Sequence, residues 1–392
     1  MRIIYGYSNC TDSTYRRIAG ERGVQALAPD QKYHSLLIKG FEKNGAELYC
    51  FSGLPINREV TARRLIREKD EREGGVCYHY ITTFNLPVLR QLMIFFGTFF
   101  GVLKVKKEDE TYAICDCLNL ANAYGMTLAA RIRKIPVVSI VTDLPDMERS
   151  SGFLRKVNNH LFKKADAFIL LTEQMNERVN PNNKPYLVAE GHVDSEAPSQ
   201  KQEISYEIEE GKKVLIYAGG LKKKYGLGML AEGFVKADIP DAELRIYGRG
   251  EYEEQLRQLC EKHSRIRYMG VIPNSEVVTE EQKASLLVNP RPTDEEYTRY
   301  SFPSKNMEYM VSGTPMLTTK LAGMPEEYLP YIYLIEDESE DGVAQALRKI
   351  LSLPLGERQK TGRSAREFVL RKKSNVVQAK RIIDFLREKV KH

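Results

Sequence analysis

Short, unbroken apolar runs alternate with longer spans of helical spacing along this chain, and the alternation breaks once and then restarts. Before the break, RIIYGY (2–7), AELYCF (46–51), VCYHYI (76–81), YAICD (112–116), PVVSIV (136–141) and AFILL (167–171) read as strands. After it, KVLIYAG (213–219), AELRIYG (243–249), RIRYMG (265–270), ASLLVN (284–289), TPMLTT (314–319) and YIYLIE (331–336) do the same. Strands apolar on both faces must be covered on both sides. The intervening spans, such as NLANAYGMTLAARIRK (119–134), carry the apolar spacing of covering helices. The combination predicts an α/β fold with parallel sheets. The break, SEAPSQKQEISYEIEEGKK (195–213), is polar and acidic and reads as a linker with one extended piece. A chain of 392 residues exceeds one typical core, so two successive doubly wound, Rossmann-like domains are expected. They run over 1–195 and 196–373, and 374–392 forms an amphipathic tail helix.

Charge narrows the partners. A net charge of +6 suits anionic small molecules or an anionic membrane surface and is too mild for a dedicated nucleic-acid binder. The cysteines are scattered, and the one close pair, Cys115 and Cys117, has a C-x-C spacing without nearby histidine that matches no zinc site. Reduced thiols in a cytoplasmic protein are expected, and the opening MRIIYGYSNC carries no apolar leader region. One segment raises the membrane question: NLPVLRQLMIFFGTFFGVLKVKK (85–107). Its uninterrupted run, Leu92 to Leu103, is shorter than the roughly 20 residues of a span. It reads either as a buried helix of the core or as a helix lying on a membrane, with Lys104, Lys106 and Lys107 at the headgroups.

In open α/β sheets ligands bind beyond the carboxyl ends of the strands, so the loops there, and a cleft between the two domains, are where chemistry is expected. YAGGLKKKYGLGMLAEGF (217–234) follows a strand and opens a helix near Tyr225; Gly219 and Gly220 allow close backbone approach. TRYSFPSKNMEYMVSGTPMLTT (298–319) places Pro303 in the first turn of a helix, with Ser301 or Phe302 as its cap. Ser304, Lys305 and Glu308 follow, the last two sharing a face. Such a helix start, with Lys305 and Arg299, suits a diphosphate, and Glu308 suits ribose hydroxyls; a plain Lys305–Glu308 ion pair is the competing reading. LAGMPEEY (321–328) adds a third glycine-containing loop.

The order of Tyr-Ala-Gly-Gly-Leu, Tyr-Gly-Arg-Gly-Glu (247–251), Gly-Val-Ile-Pro-Asn (270–274), Ser-Phe-Pro-Ser-Lys-x-x-Glu-Tyr (301–309), Ser-Gly-Thr-Pro (312–315) and Gly-Met-Pro-Glu (323–326) resembles the family-4 retaining glycosyltransferases of GT-B fold, especially bacterial capsular and exopolysaccharide enzymes. The strong likeness spans 213–328. It implies a nucleotide-sugar donor, UDP-linked by expectation, held by the second domain, and a saccharide or polyprenyl-linked saccharide acceptor held by the first. It also implies that the tail helix crosses back to the first domain. Carried over by motif, Glu308 binds the donor ribose, Lys305 and the 219–220 loop contact the diphosphate, and Val271 and Ile272 meet the base. Ser301, Ser304 and Tyr225 join this set at the helix starts. Two positions depart from the pattern. Tyr300 stands where many members carry a sugar-reading glutamate, and Gly220 and Tyr225 stand where many carry an Arg and a Lys. Lys305 and Arg299 are therefore expected to inherit the phosphate role.

In the first half, Asp143 of VTDLPDM (141–147) is a candidate contact to either sugar, with Asp146 nearby; strand-end turn chemistry is the alternative. His192, in EGHVDSE (190–196), reads as structural. No Asp-x-Asp strand-end motif stands out, so the expected transfer needs no metal, no other cofactor and no covalent nucleophile. A nucleotide-sugar 2-epimerase of the same fold and a catalytically idle homologue acting as an interaction subunit are the rivals. The expected location is the cytoplasm, with peripheral contact at the inner membrane face.

Overall fold

The computed structural model describes residues 1–19, 29–55, 61, 63–144, 152–197 and 205–390. The chain folds as two compact units, Met1–His192 with Asn375–His392, and Val193–Ser374. The first unit carries β1 (Arg2–Gly6), β2 (Glu47–Ser52), β3 (Leu65–Ile66), β4 (Glu71–Glu73), β5 (Val76–Tyr80), β6 (Thr83–Phe84), β7 (Thr111–Asp116), β8 (Val137–Val141), β9 (Ala167–Leu170) and β10 (Tyr186–Val188). Eight of them form one sheet in the order β10-β9-β8-β7-β1-β2-β5-β4. It is parallel except where β4 closes the edge antiparallel to β5. β3 and β6 pair separately, antiparallel.

Alternation along β1 explains why the run is apolar throughout. Ile3 and Tyr5 join a core with Leu37 and Phe41 of the helix Pro29–Lys43 and Ile382 and Leu386 of the tail helix Asn375–Lys389. Ile4 points the other way, into a core with Val102 of the helix Pro87–Lys104 and Met126 of the helix Leu120–Ile132. Successive side chains leave opposite faces of a strand, so a central strand needs cover on both.

The second unit carries β11 (Lys213–Ala218), β12 (Ala242–Tyr247), β13 (Ile266–Gly270), β14 (Leu286–Asn289), β15 (Met316–Thr318) and β16 (Tyr333–Leu334). They form an all-parallel sheet in the order β13-β12-β11-β14-β15-β16. Its core gathers Leu215, Leu244 and Ile246 with Leu230 and Phe234 of the helix Leu227–Ala237 and Val343 and Leu347 of the helix Glu340–Leu351.

Two local expectations give way. Among its described residues the polar linker holds a short helix in place of an extended piece, Tyr206–Glu209, capped by Ser205; Tyr206 is buried and Glu207 pairs with the buried Arg358 at 2.8 Å. The apolar segment of the first unit is one helix, Pro87–Lys104, longer than the run Leu92–Leu103 because Arg90 and Gln91 lie within it. By length and composition alone it could cross a membrane. Its buried residues are Ile94, Thr98 and Val102, so it is docked along one face and is not a fully buried core helix.

Candidate functional site

The strand order of the second unit reverses direction between β11 and β14. In a doubly wound sheet this switch point opens a crevice beyond the carboxyl ends of the two strands. β11 runs out into Gly219–Gly220, β14 into Pro290–Arg291, and the helix Ser304–Ser312 starts nearby.

Close backbone packing shapes this end of the sheet. The Gly219 and Leu221 amides donate to the Tyr247 and Arg249 carbonyls at 3.0 Å, and the Gly248 amide donates to Gly270 at 2.8 Å. At Gly248, with φ of 131°, a Cβ would fall 1.8 Å from the Gly219 oxygen, so the two loops meet only because that residue is glycine. Gly226 is likewise left-handed, φ 77°, and a Cβ there would lie 2.0 Å from the Pro290 oxygen. The loops after β11 and β14 are therefore in contact. Tyr217 Oη donates to the Gly220 carbonyl at 2.8 Å, and Tyr309 Oη accepts from the Ala218 amide at 2.8 Å.

Lys305 and Glu308 form an ion pair of 2.6 Å, both about one quarter exposed. The buried Glu281, on the helix Asn274–Lys283, brings an oxygen to 3.9 Å from Lys305 Nζ. Burial works to lower the Lys305 pKa, but the charges of Glu308 and Glu281 outweigh it and hold the ammonium above its ordinary value. The helix itself differs from expectation in its first residue. Pro303, extended at ψ 122°, is the cap and Ser304 the first helical residue, with no side chain capping the start. Ser301 instead ends the preceding turn, Glu296–Tyr300. The uncapped start leaves helix N–H groups to a ligand or to water.

Of the other sequence-derived residues, Gly219 is half-buried and Gly220 exposed. Tyr225 closes the turn Lys223–Tyr225, and the helix begins two residues later, at Leu227, after the left-handed Gly226. Val271 is 65% exposed and follows Gly270 at φ 70°, beyond β13, with Ile272 half-buried. Ser304 is exposed, Ser301 half-buried and Tyr300 buried. The Arg299 guanidinium lies 5.8 Å from the Tyr300 ring centre. It lines a cavity of about 480 Å³ with Lys320, Glu336 and Glu338, whereas Lys305 faces Glu308 and Glu281. Asp143 is exposed just past β8 in the first unit, and Asp146 lies outside the described residues. His192 is buried and donates through Nε2 to the Tyr33 carbonyl at 2.8 Å, a structural bond.

Sequence reasoning missed Glu281 and Arg291. Glu281 sits in NSEVVTEEQK, which reads as a solvated helix, and Arg291 in a loop without any motif. The Arg291 guanidinium lies 4.2 Å from the centre of the Tyr225 ring.

Residues 198–368 match the family model described as glycosyl transferases group 1. No curated protein matches the chain. Among solved structures, sucrose-phosphate synthase from Thermosynechococcus elongatus is 13% identical over 99% of this chain and 98% of its own, with a TM-score of 0.69. HepE of Anabaena, solved in complex with UDP, is 13% identical over 99% and 100%, with a TM-score of 0.67. The lipopolysaccharide outer core galactosyltransferase WaaB is 14% identical over 100% of both chains, at 0.63. Likeness at such identity speaks for the fold, and that fold is GT-B, with two Rossmann-like domains. The second unit of this chain is thus similar to the glycosyl transferases of group 1 over residues 198–368, and the whole chain has a GT-B fold.

Proposed function

We propose that the protein is a retaining glycosyltransferase that moves a sugar from UDP to a saccharide or lipid-linked saccharide during cell-surface polysaccharide synthesis. The observation that carries the reading lies at the switch point of the family-matched unit: the helix that bears the uncapped start at Ser304 and the Lys305–Glu308 pair is bonded through Tyr309 to Ala218, just before the Gly219–Gly220 loop, and through Asn306 to Asn289 at the end of β14. Glycine backbone and free helix N–H groups suit a diphosphate, and a half-buried carboxylate suits ribose hydroxyls. UDP as the nucleotide draws support from structural neighbours solved with UDP and glucose or with UDP-2-fluoro glucose.

In this reading the bond from the anomeric carbon to the diphosphate oxygen breaks while the bond to the acceptor oxygen forms on the same face. The acceptor proton passes to the departing diphosphate oxygen. Charge gathering on the diphosphate is met by Lys305 and the helix N–H groups, so no metal is required. Asp143 remains a candidate sugar contact in the first unit.

The acceptor side draws on the helix Pro87–Lys104. Val88, Leu92, Phe96 and Phe100 are exposed at intervals of four residues, a single apolar stripe, and the next position, Lys104, is exposed too. Leu128 and Ile132 extend the patch on the neighbouring helix. An apolar stripe ending in lysines suits an anionic membrane surface, where lipid-linked acceptors reside.

The test is calorimetry against a panel of nucleoside diphosphates, followed by transfer from the matching donor to lipid-linked saccharides, with and without EDTA. UDP binding and an EDTA-resistant product of retained configuration are expected. Binding of no nucleoside diphosphate sinks the reading, and an epimerised sugar formed from donor alone selects the epimerase instead.

A further inference from the structure

Arg291 follows β14 at the switch point, and its backbone is held in place from two sides. Pro290, just before it, packs its carbonyl against Gly226, and Thr319 Oγ1 donates to the Arg291 carbonyl. Its side chain crosses the face of Tyr225 at 4.2 Å and stands 6.0 Å from the centre of the Tyr297 ring. The Nε atom is buried without a hydrogen-bond partner. Among the described residues no ion pair includes Arg291.

Three buried arginines of the chain hold carboxylates instead. Arg245 holds Glu243 at 2.6 Å, Arg358 holds Glu207 at 2.8 Å, and Arg2 holds Glu47 at 2.6 Å. Arg291 is instead held by aromatic faces, which fix the plane of a guanidinium while leaving its N–H edges open. A buried guanidinium N–H left unsatisfied is costly, and folded proteins rarely keep one without a use. The stacked ring, Tyr225, lies against Gly220, where an added Cβ would sit 3.5 Å from Tyr225 Cε2. The Arg291 charge also acts on Tyr217, whose hydroxyl donates to the Gly220 carbonyl, so the guanidinium stands near the glycine loop at the mouth of β11.

Resting on the reading of this crevice as a donor site, we infer that Arg291 binds the diphosphate of the donor, with Tyr225 as the platform that aims it. The planar fork suits bidentate contact with phosphate oxygens, which a lysine point charge does not reproduce. The inference also gives Tyr225 a task, since a neutral ring stands in the loop where the diphosphate needs a cation. The cation comes from the next strand's loop and rests on that ring.

The readout is the affinity gained from UMP to UDP, measured by calorimetry for wild type, R291Q and R291K. R291Q is expected to lose about 10- to 100-fold in UDP affinity with UMP affinity changed far less. R291K should recover part of the loss, and wild-type UDP binding should weaken more steeply with salt than that of R291Q. Unchanged UDP affinity in R291Q overturns the inference while leaving the donor site intact. Equal loss for UMP and UDP overturns it too, because it marks Arg291 as a brace between loops. If R291Q fails to fold, R291K decides: a several-fold loss for UDP alone supports the inference, and full retention overturns it. Wild type that binds no nucleoside diphosphate removes the donor-site reading and this inference together.

Discussion

Glu308 is the residue on which nucleotide recognition is expected to turn. Its carboxylate is paired with Lys305 and still partly open, the state suited to accepting ribose hydroxyl hydrogen bonds. Hydrogen bonds to a charged group contribute about 1.5–3 kcal/mol. E308A should therefore weaken UDP binding by about 10- to 100-fold in calorimetry, and an unaltered Kd would remove Glu308 from the site. Folding should survive, because Lys305 keeps Glu281 at 3.9 Å. At this scale the sequence was informative where a motif exists and blind where it does not. SFPSKNMEY announces a helix start with a cation and a carboxylate one turn apart. Nothing in NPRPT or in NSEVVTEEQK says that Arg291 stacks on Tyr225 or that Glu281 is buried beside Lys305, because both partners arrive from distant chain.

At the scale of elements, the helix Pro87–Lys104 shows what periodicity reveals and what it withholds. Its apolar residues encircle the helix, which fits a buried helix and a surface-bound one equally well. Docking resolves the matter: the helix Leu120–Ile132 lies against Phe95 and Phe99 and Gly53 lies against Ile94, so Ile94, Thr98 and Val102 are buried while Val88 is 75% and Phe100 54% exposed. The protein should sediment with vesicles containing anionic lipid and remain free of neutral ones. The triple variant L92S/F96S/F100S should stay in the supernatant with its melting temperature nearly unchanged, since exposed substitutions typically alter stability within about 0.5 kcal/mol. Equal sedimentation of variant and wild type would remove this face from membrane contact. Short elements escaped sequence reading for a related reason. Tyr186–Val188 is only half-buried, and Tyr206–Glu209 is a single turn, so neither leaves a periodic signal.

For the whole molecule, the tail determines how stability is distributed. The helix Asn375–Lys389 inserts Ala379, Ile382, Ile383 and Leu386 into the core of the first unit, although the preceding helix, Leu355–Lys373, belongs to the second. Each large buried aliphatic side chain contributes about 1.5–3 kcal/mol. Truncation after Ser374 should therefore destabilise the first unit by several kcal/mol and leave the second nearly intact. Scanning calorimetry should show one early transition and one at its original temperature; a uniform shift of both would refute this division.

By itself the sequence determined the α/β class and the parallel sheets, because burial of a strand on both faces is written in consecutive residues. It also marked the glycine loop and a helix start at Pro303, one residue ahead of the observed one, where local backbone chemistry requires particular residue types. Only the tertiary structure decided which side chains meet beyond β11 and β14, and which face of the helix Pro87–Lys104 stays uncovered. Those outcomes depend on strand order and on packing between remote segments, neither of which has a local signature.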